Sequence, residues 1–531
     1  MTTMAVTEYG IVYAVHIVTV QFGSVVAKVC ECLLRKGALT ARDISRFTEV
    51  NHNQVKDILY LLIQHNCVQA FAVEQPGAAG NEAKITAQFI VMFSNILHRM
   101  RYNKFMKIVK EELGQQCGEV LEGLLSNGRL TLGQLVERDG ENGMGSDVVR
   151  DSLQKLIAAR YVERIPAPEP VLGAPTEEES APKKRGSKSA KIIEVATLEE
   201  RVLEAATPVE AIRFPLILEQ ESNSSFDNDG SSPSGNISGV KRKHGDADSN
   251  VKLSDSNNQL VWRPSFEGFI HRLRHKACVE IVKDRKDDKA AIVLGAMLEI
   301  TRYQEKKVKV EKSAPVSIDS IFEEVIKSEA GRNMTMEHVG DCLDQLCSNS
   351  TYLPAFVVES GDSYVVDFKS IIGVAQKDEI ESVVLRRYGK DACRMFRYLS
   401  QEGRLVETDK IADAALSGKK DTPKILLKMW KDEYLHMEKL VVAGRYIPFL
   451  LWKVNQPILW RRLLDEMFHA SLNLSLRLNH ELDQEKELLS LPLGKLEGKL
   501  KERLNRIKEK RLLLSCSRFK LDDSVMFFHD F

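Results

Sequence analysis

Lys419, Lys420, Lys424, Lys428 and Lys431 crowd one short stretch of this chain. Three of them, Lys424, Lys428 and Lys431, recur at helical spacing and would share one face of a helix. A row of ammonium groups of this kind neutralises phosphates and displaces the counterions condensed on a nucleic acid. The plain counter-reading is a solvated helix face. Arg150 and Lys155 form a second, mixed candidate, because Asp147 and Asp151 lie beside them. Asp341 and Asp344, with Glu337, have the opposite sign. A phosphate backbone repels such a face, so a protein partner is expected there. Leu493, Leu496, Leu500, Leu504 and Ile507 keep one helical face and predict a partner-binding coiled-coil stripe. Lys183, Lys184 and Arg185, and again Lys241, Arg242 and Lys243, are basic runs in polar chain. They read as nuclear import signals or as loop charge.

Catalytic chemistry leaves no comparable trace. The sequence contains no G-x-x-x-x-G-K-[ST], no G-x-S-x-G and no H-E-x-x-H. The glycine-rich stretch Gly140–Gly145 has no strand pattern before it and reads as a loop. The 12 histidines are dispersed, and His65, at the end of a helix pattern, reads as a partner for the helix dipole. The nine cysteines form no CxxC, and the close pairs Cys30/Cys32 and Cys342/Cys347 have no second pair at zinc spacing. Buried thiols, with no metal, no cofactor and no catalytic residue, are the expectation.

With 75 Lys+Arg against 75 Asp+Glu the 531-residue chain is neutral, so contact with nucleic acid has to be local. The length calls for several domains. The longest apolar run, Ile11 to Val20, is too short for a membrane span and contains His16. No membrane partner is expected.

These candidate residues need elements to position them, and one phrase recurs where those elements begin. Lys36-Gly37-Ala38-Leu39-Thr40, Asn127-Gly128-Arg129-Leu130-Thr131 and Glu402-Gly403-Arg404-Leu405-Val406 each follow a helix pattern and precede two more helices and a strand. A repeated supersecondary unit is implied, and its order is that of a winged helix. Phe22, Val25, Val26, Val29 and Leu33 line the first helix of unit one; Val55, Ile58, Leu59 and Leu62 line its third. Thr131 and Gln134 form a capping box in unit two. Unit three uses Ala290–Tyr303, Ser317–Ile326 and Met336–Cys347, then a hairpin around Gly361. Unit four uses Asp391–Leu399, Asp409–Leu416 and a helix opening at Asp421, with a wing around Gly444. The predicted fold is mainly α with small β-wings: four winged helices and a C-terminal coiled-coil hairpin. The predicted divisions are 1–98 (winged helix one with a leader), 99–168 (two), 169–260 (a largely disordered linker), 261–372 (three), 373–455 (four) and 456–531 (coiled coil and tail).

Asn51-His52-Asn53-Gln54-Val55-Lys56, Leu61 to Asn66, and Leu124 to Thr131, together with the four-unit order and the tail, resemble one known family. It is the family of RNA polymerase III-specific subunits that join four winged helices to a C-terminal coiled coil. Its members are the largest in a heterotrimer compared with the initiation factor TFIIE. The resemblance implies a nuclear, non-catalytic subunit of DNA-directed RNA polymerase III. It also implies partners: the clamp of the largest polymerase subunit, the two other heterotrimer subunits, the promoter-bound initiation factor, and single- and double-stranded DNA held mostly by its backbone. The family's function is promoter recruitment, initiation and stabilisation of opened DNA at small untranslated RNA genes. The competing readings are a free-standing winged-helix DNA-binding regulator, a helical scaffold of a proteasome-lid type, and an enzyme.

Overall fold

Gly37 (φ 80°), Gly128 (φ 82°) and Gly403 (φ 62°) all sit at helix C-caps in the left-handed region. The recurring phrase is therefore a stop signal, and behind each stop stands a winged helix. The computed structural model describes residues 6–75, 84–141, 143–165, 171–172, 198–207, 210–215, 260–305, 309–350, 353–441, 449–484 and 498–531. The import-signal candidates 183–185 and 241–243, the wing tips 76–83 and 442–448, Pro492, Leu493 and Leu496 lie outside the described residues.

The chain begins with α1 (Glu8–Phe22), α2 (Ser24–Lys36), α3 (Ala41–Thr48) and α4 (His52–Gln64), followed by β1 (Val68–Gln75) and β2 (Lys84–Val91). Thr40 caps α3 by accepting from the Asp43 amide, and Val55, Ile58, Leu59 and Leu62 are the buried face of α4. Next come α5 (Phe93–His98), a 3-10 turn, α6 (Tyr102–Glu112), α7 (Gln115–Asn127), β3 (Leu130–Thr131), α8 (Leu132–Glu141), α9 (Ser146–Ala158) and β4 (Val162–Arg164). The capping box is formed: the Thr131 amide donates to Gln134 Oε1 at 2.9 Å, and the Gln134 amide donates to Thr131 Oγ1 at 3.3 Å. Then follow β5 (Val171–Leu172), α10 (Leu198–Ala206), α11 (Glu210–Arg213) and β6 (Val261–Pro264).

The third winged helix has α12 (Phe266–Arg285) before it and consists of α13 (Asp288–Thr301), β7 (Val316–Ser317), α14 (Ile318–Lys327), α15 (Met336–Cys347), β8 (Val357–Ser360) and β9 (Ser363–Val366). The fourth follows α16 (Phe368–Tyr388) as α17 (Lys390–Glu402), β10 (Val406–Glu407), α18 (Thr408–Ala414), α19 (Thr422–Lys431), β11 (His436–Leu440) and β12 (Phe449–Lys453). The last described helices are α20 (Gln456–Gln484) and α21 (Lys499–His529), which pack on each other. The fold is mainly α with small antiparallel wings, and no described helix is long and apolar enough to cross a membrane.

Three sheets share one plan, with the last strand of the wing between the other two: β3-β6-β4, β7-β9-β8 and β10-β12-β11. The first sheet runs β2-β1-β5, with Leu39 bridging Phe89 on its other side. In the second sheet the middle strand, β6, is Val261–Pro264, although the predicted division at 261 assigns these residues to the third unit. The second wing is thus one hairpin whose arms are separated by the whole 165–260 stretch. A strand arriving so late carries no local turn signal, and periodicity could not assign it.

Residues Ile17–Phe269 form one compact body. Within it Phe269 is stacked between Phe105 and Tyr161, at centroid distances of 4.5 and 4.7 Å. Ile270–Phe531 form a second body together with the opening residues up to His16. Here the apolar leader finds its partner. Tyr9 stacks on His469 at 4.0 Å, its amide donates to Asp465 Oδ1 at 2.8 Å, and Tyr13 faces Phe468.

Candidate nucleic-acid and partner interfaces

Pro423 in the first turn of α19 starts that helix where a missing amide matters little. Leu426 and Met429 bury its inner side, and fully buried Trp452 ties β12 to the first residue of α18 by donating to Thr408 Oγ1 at 2.8 Å. The outer face then carries Lys424, Lys428 and Lys431, all exposed, together with Leu427 and Trp430. Lys424 pairs with Asp421 at 3.1 Å and Lys419 with Asp413 at 3.7 Å, and both are solvent-facing contacts. Exposed pairs like these are worth under about 1 kcal/mol and give way to a phosphate readily. Lys428 lies 5.5 Å from the centre of the Tyr388 ring. Lys420 is exposed in the turn before the helix.

The corresponding helices differ in sign. On α9, Arg150 and Lys155 are exposed, as are Asp147 and Asp151, so charge alternates. On α15, Glu337, Asp341 and Asp344 are exposed and the helix contains no Lys or Arg. On α4 the exposed residues are Asn53, Gln54, Lys56, Asp57 and Tyr60.

The coiled-coil stripe divides. Leu504 and Ile507 are each 7% exposed. Leu500 is 43% exposed, and farther along the helix Leu512 and Leu513 are 65% and 69% exposed. Leu504 and Ile507 therefore hold the hairpin together, and the outward apolar side lies at Leu500, Leu512 and Leu513. Phe468, Ser471, Leu472 and Ser475 are buried while Leu476 is exposed, the spacing of a helix face and not of a strand.

His65 does not serve the helix dipole. Its ring packs 4.8 Å from Phe22, and burial, reinforced by the Arg99 charge, lowers its pKa to about 4. A neutral imidazole offers no positive charge to the C-terminus of α4. All nine cysteines are free thiols; six are buried, Cys32 and Cys347 are partly covered, and Cys516 is exposed.

Among the described residues, one set of side chains comes within metal-ligand range: His271, His275 and Glu305. His271 Nδ1 and His275 Nε2 each lie 3.1 Å from the Glu305 carboxylate. The same carboxylate is ion-paired with buried Arg274, whose guanidinium sits 4.0 Å above the Phe368 ring. A divalent cation would meet that guanidinium in a buried site, so the chemistry is that of a structural ion-pair core. A helical His-x3-His spacing was visible in sequence, but its partner Glu305 was not. A second such core joins Glu163 to Arg213 and to Arg263, the latter at 2.6 Å. Burial opposes ionisation of Glu163, but the two guanidinium groups outweigh it and hold its carboxyl below the usual range.

Comparison with known proteins agrees with this architecture. Three family models match in order. "RNA polymerase III subunit RPC82 helix-turn-helix domain" covers residues 12–73, "RNA polymerase III subunit RPC82" covers 151–375, and "POLR3C, C-terminal winged-helix domain" covers 380–453. The chain is 25% identical over 486 residues to DNA-directed RNA polymerase III subunit RPC3 of Homo sapiens, covering 88% of this chain and 83% of the relative. It is 20% identical over 615 residues to the protein of that name in Dictyostelium discoideum, covering 90% and 92%. The chain belongs to the RNA polymerase III subunit RPC82 family.

Proposed function

We propose that this chain is a non-catalytic subunit of DNA-directed RNA polymerase III, acting in promoter recruitment, initiation and stabilisation of opened DNA. The observation that carries the reading is continuity. The family models follow one another from the first winged helix to the fourth, and relatives named as polymerase III subunits align over more than four-fifths of their own length. A free-standing regulator would need a helix that reads base edges, and the mixed and acidic faces of α9 and α15 do not supply one. Its place of work on this reading is the nucleus. Its partners are the polymerase clamp, the two other heterotrimer subunits and the promoter-bound initiation factor.

The division of labour follows charge. The α19 lysines meet DNA phosphates, with Arg150 and Lys155 as a lesser contact. The acidic α15 face with Asp341 and Asp344, and the outward leucines of α21, meet protein. Affinity purification of the tagged chain from nuclear extract tests the whole reading. The two largest RNA polymerase III subunits should co-elute at near-equal stoichiometry, and elution of the chain alone would refute it.

A further inference from the structure

The stretch between β4 and β6 comes back twice onto the body it leaves. First, β5 pairs in parallel with β1, Val171 opposite Ala72 and Leu172 opposite Val73. Helix α10 then places Val202, fully buried, in a cluster with Phe71, Ile90 and Met92, against which Ala38 and Val73 pack. Every other member of that cluster comes from the first winged helix. Second, α11 lies on the second winged helix. There Arg213 pairs with Glu163 and, at 2.8 Å, with Glu267, while Arg160 pairs with Glu210.

The two anchors differ in strength. The α11 anchor rests on charge-assisted hydrogen bonds to a buried carboxylate, which are the stronger kind. Among the described residues the β5–α10 anchor is a two-residue strand and one helix in which Val202 and Ala206 are buried and Leu198 and Leu203 are exposed. Elements with few buried contacts open first. Without them β1 would offer unpaired N–H and C=O groups along its edge, beside the uncovered Phe71, Ile90 and Met92. An open strand edge next to apolar pockets is the geometry that accepts an added strand.

We propose that β5 and α10 are a built-in seal on the first wing. They occupy the β1 edge and its apolar patch and lift independently of α11.

Hydrogen exchange on the full chain tests this. A Val202→Asp chain should exchange at least tenfold faster in peptides covering Phe71–Gln75, with unchanged rates at Val162–Arg164 and at His436–Leu440. It should also bind the dye ANS several-fold more strongly. Unchanged exchange at Phe71–Gln75 would overturn the seal. Acceleration that spreads to Val162–Arg164 would overturn its independence from α11. If the aspartate chain fails to fold, Val202→Ala takes its place, with a smaller rise confined to the same peptides; no rise there overturns the proposal equally.

Discussion

Gly128 is under two constraints, and its counterparts share only the first. Its φ of 82° lies where a side chain is strained, as at Gly37 and Gly403. In addition, a Cβ on Gly128 would collide with the backbone carbonyl of Gln64, whereas one on Gly37 or Gly403 would meet nothing within 4 Å. The close approach is the seam between the first two winged helices: the Arg129 amide donates to Gln64 O at 3.0 Å, and Arg129 Nε to Asn66 Oδ1 at 2.9 Å. Gly403→Ala should destabilise by about 1 kcal/mol through backbone strain alone. Gly128→Ala should lower the melting temperature further and loosen exchange at the end of α4; equal shifts for the two variants would refute the added packing role. Glu305 makes a sharper case. Burial works against its charge, but hydrogen bonds from His271 and His275 and the Arg274 charge bring its pKa from 4.5 to about 2. A carboxyl depressed by folding stabilises above its unfolded pKa and loses that contribution as pH falls through the folded one. The Glu305 contribution should therefore be complete above pH ~4.5 and fade toward pH ~2. Glu305→Gln leaves Arg274 buried without its counter-charge, a loss of roughly 3–5 kcal/mol at neutral pH. Denaturant melts of variant and parent should converge as the pH is lowered from 5 to 2.5, and a constant gap would refute the assignment.

Helix α19 is the element on which DNA contact can be tested cleanly. Lys424, Lys428 and Lys431 face outward while Leu426 and Met429 hold the helix in place, so reversing the three charges leaves its packing untouched. Lys424→Glu, Lys428→Glu and Lys431→Glu together should weaken DNA binding and lower the slope of log K against log salt by about 0.9 per lost contact on duplex. An unchanged slope would remove α19 from the interface. Sequence periodicity located this helix, α4, α9 and α15 because each buries a stripe at helical spacing against its own neighbours. It failed where a side chain or strand answers to a distant partner. Tyr9 and Tyr13 belong with His469 and Phe468, so an apolar leader without visible purpose is half of a packed joint. Leu504 and Ile507 showed their stripe, but whether that stripe faced inward or toward another protein depended on α20.

At the scale of the whole chain, the position of β6 makes connectivity and fold separable. The strand lies between β3 and β4, so the second winged helix is complete only after the chain has returned from an excursion through residues 165–260. Both ends of that excursion are fastened: the Ile165 amide donates to Val261 O at 3.0 Å and the Ser265 amide to Tyr161 O at 2.9 Å. Arg263 reaches Glu163, and Phe269 is stacked on Phe105 and Tyr161. These contacts on β6 are non-covalent and lie outside the excursion. A protease site inserted after Gly235 should, once cut, yield two pieces that still co-migrate on size exclusion and melt close to the uncut chain. Loop-closure entropy changes by only a few kcal/mol when so long a loop is opened, and the aromatic stack and buried ion pairs remain to oppose it. If the pieces separate without denaturant, β6 is not the middle strand of that sheet. If they stay together until Glu163→Gln is introduced, the buried carboxylate between Arg213 and Arg263 is what binds the late strand to the early ones.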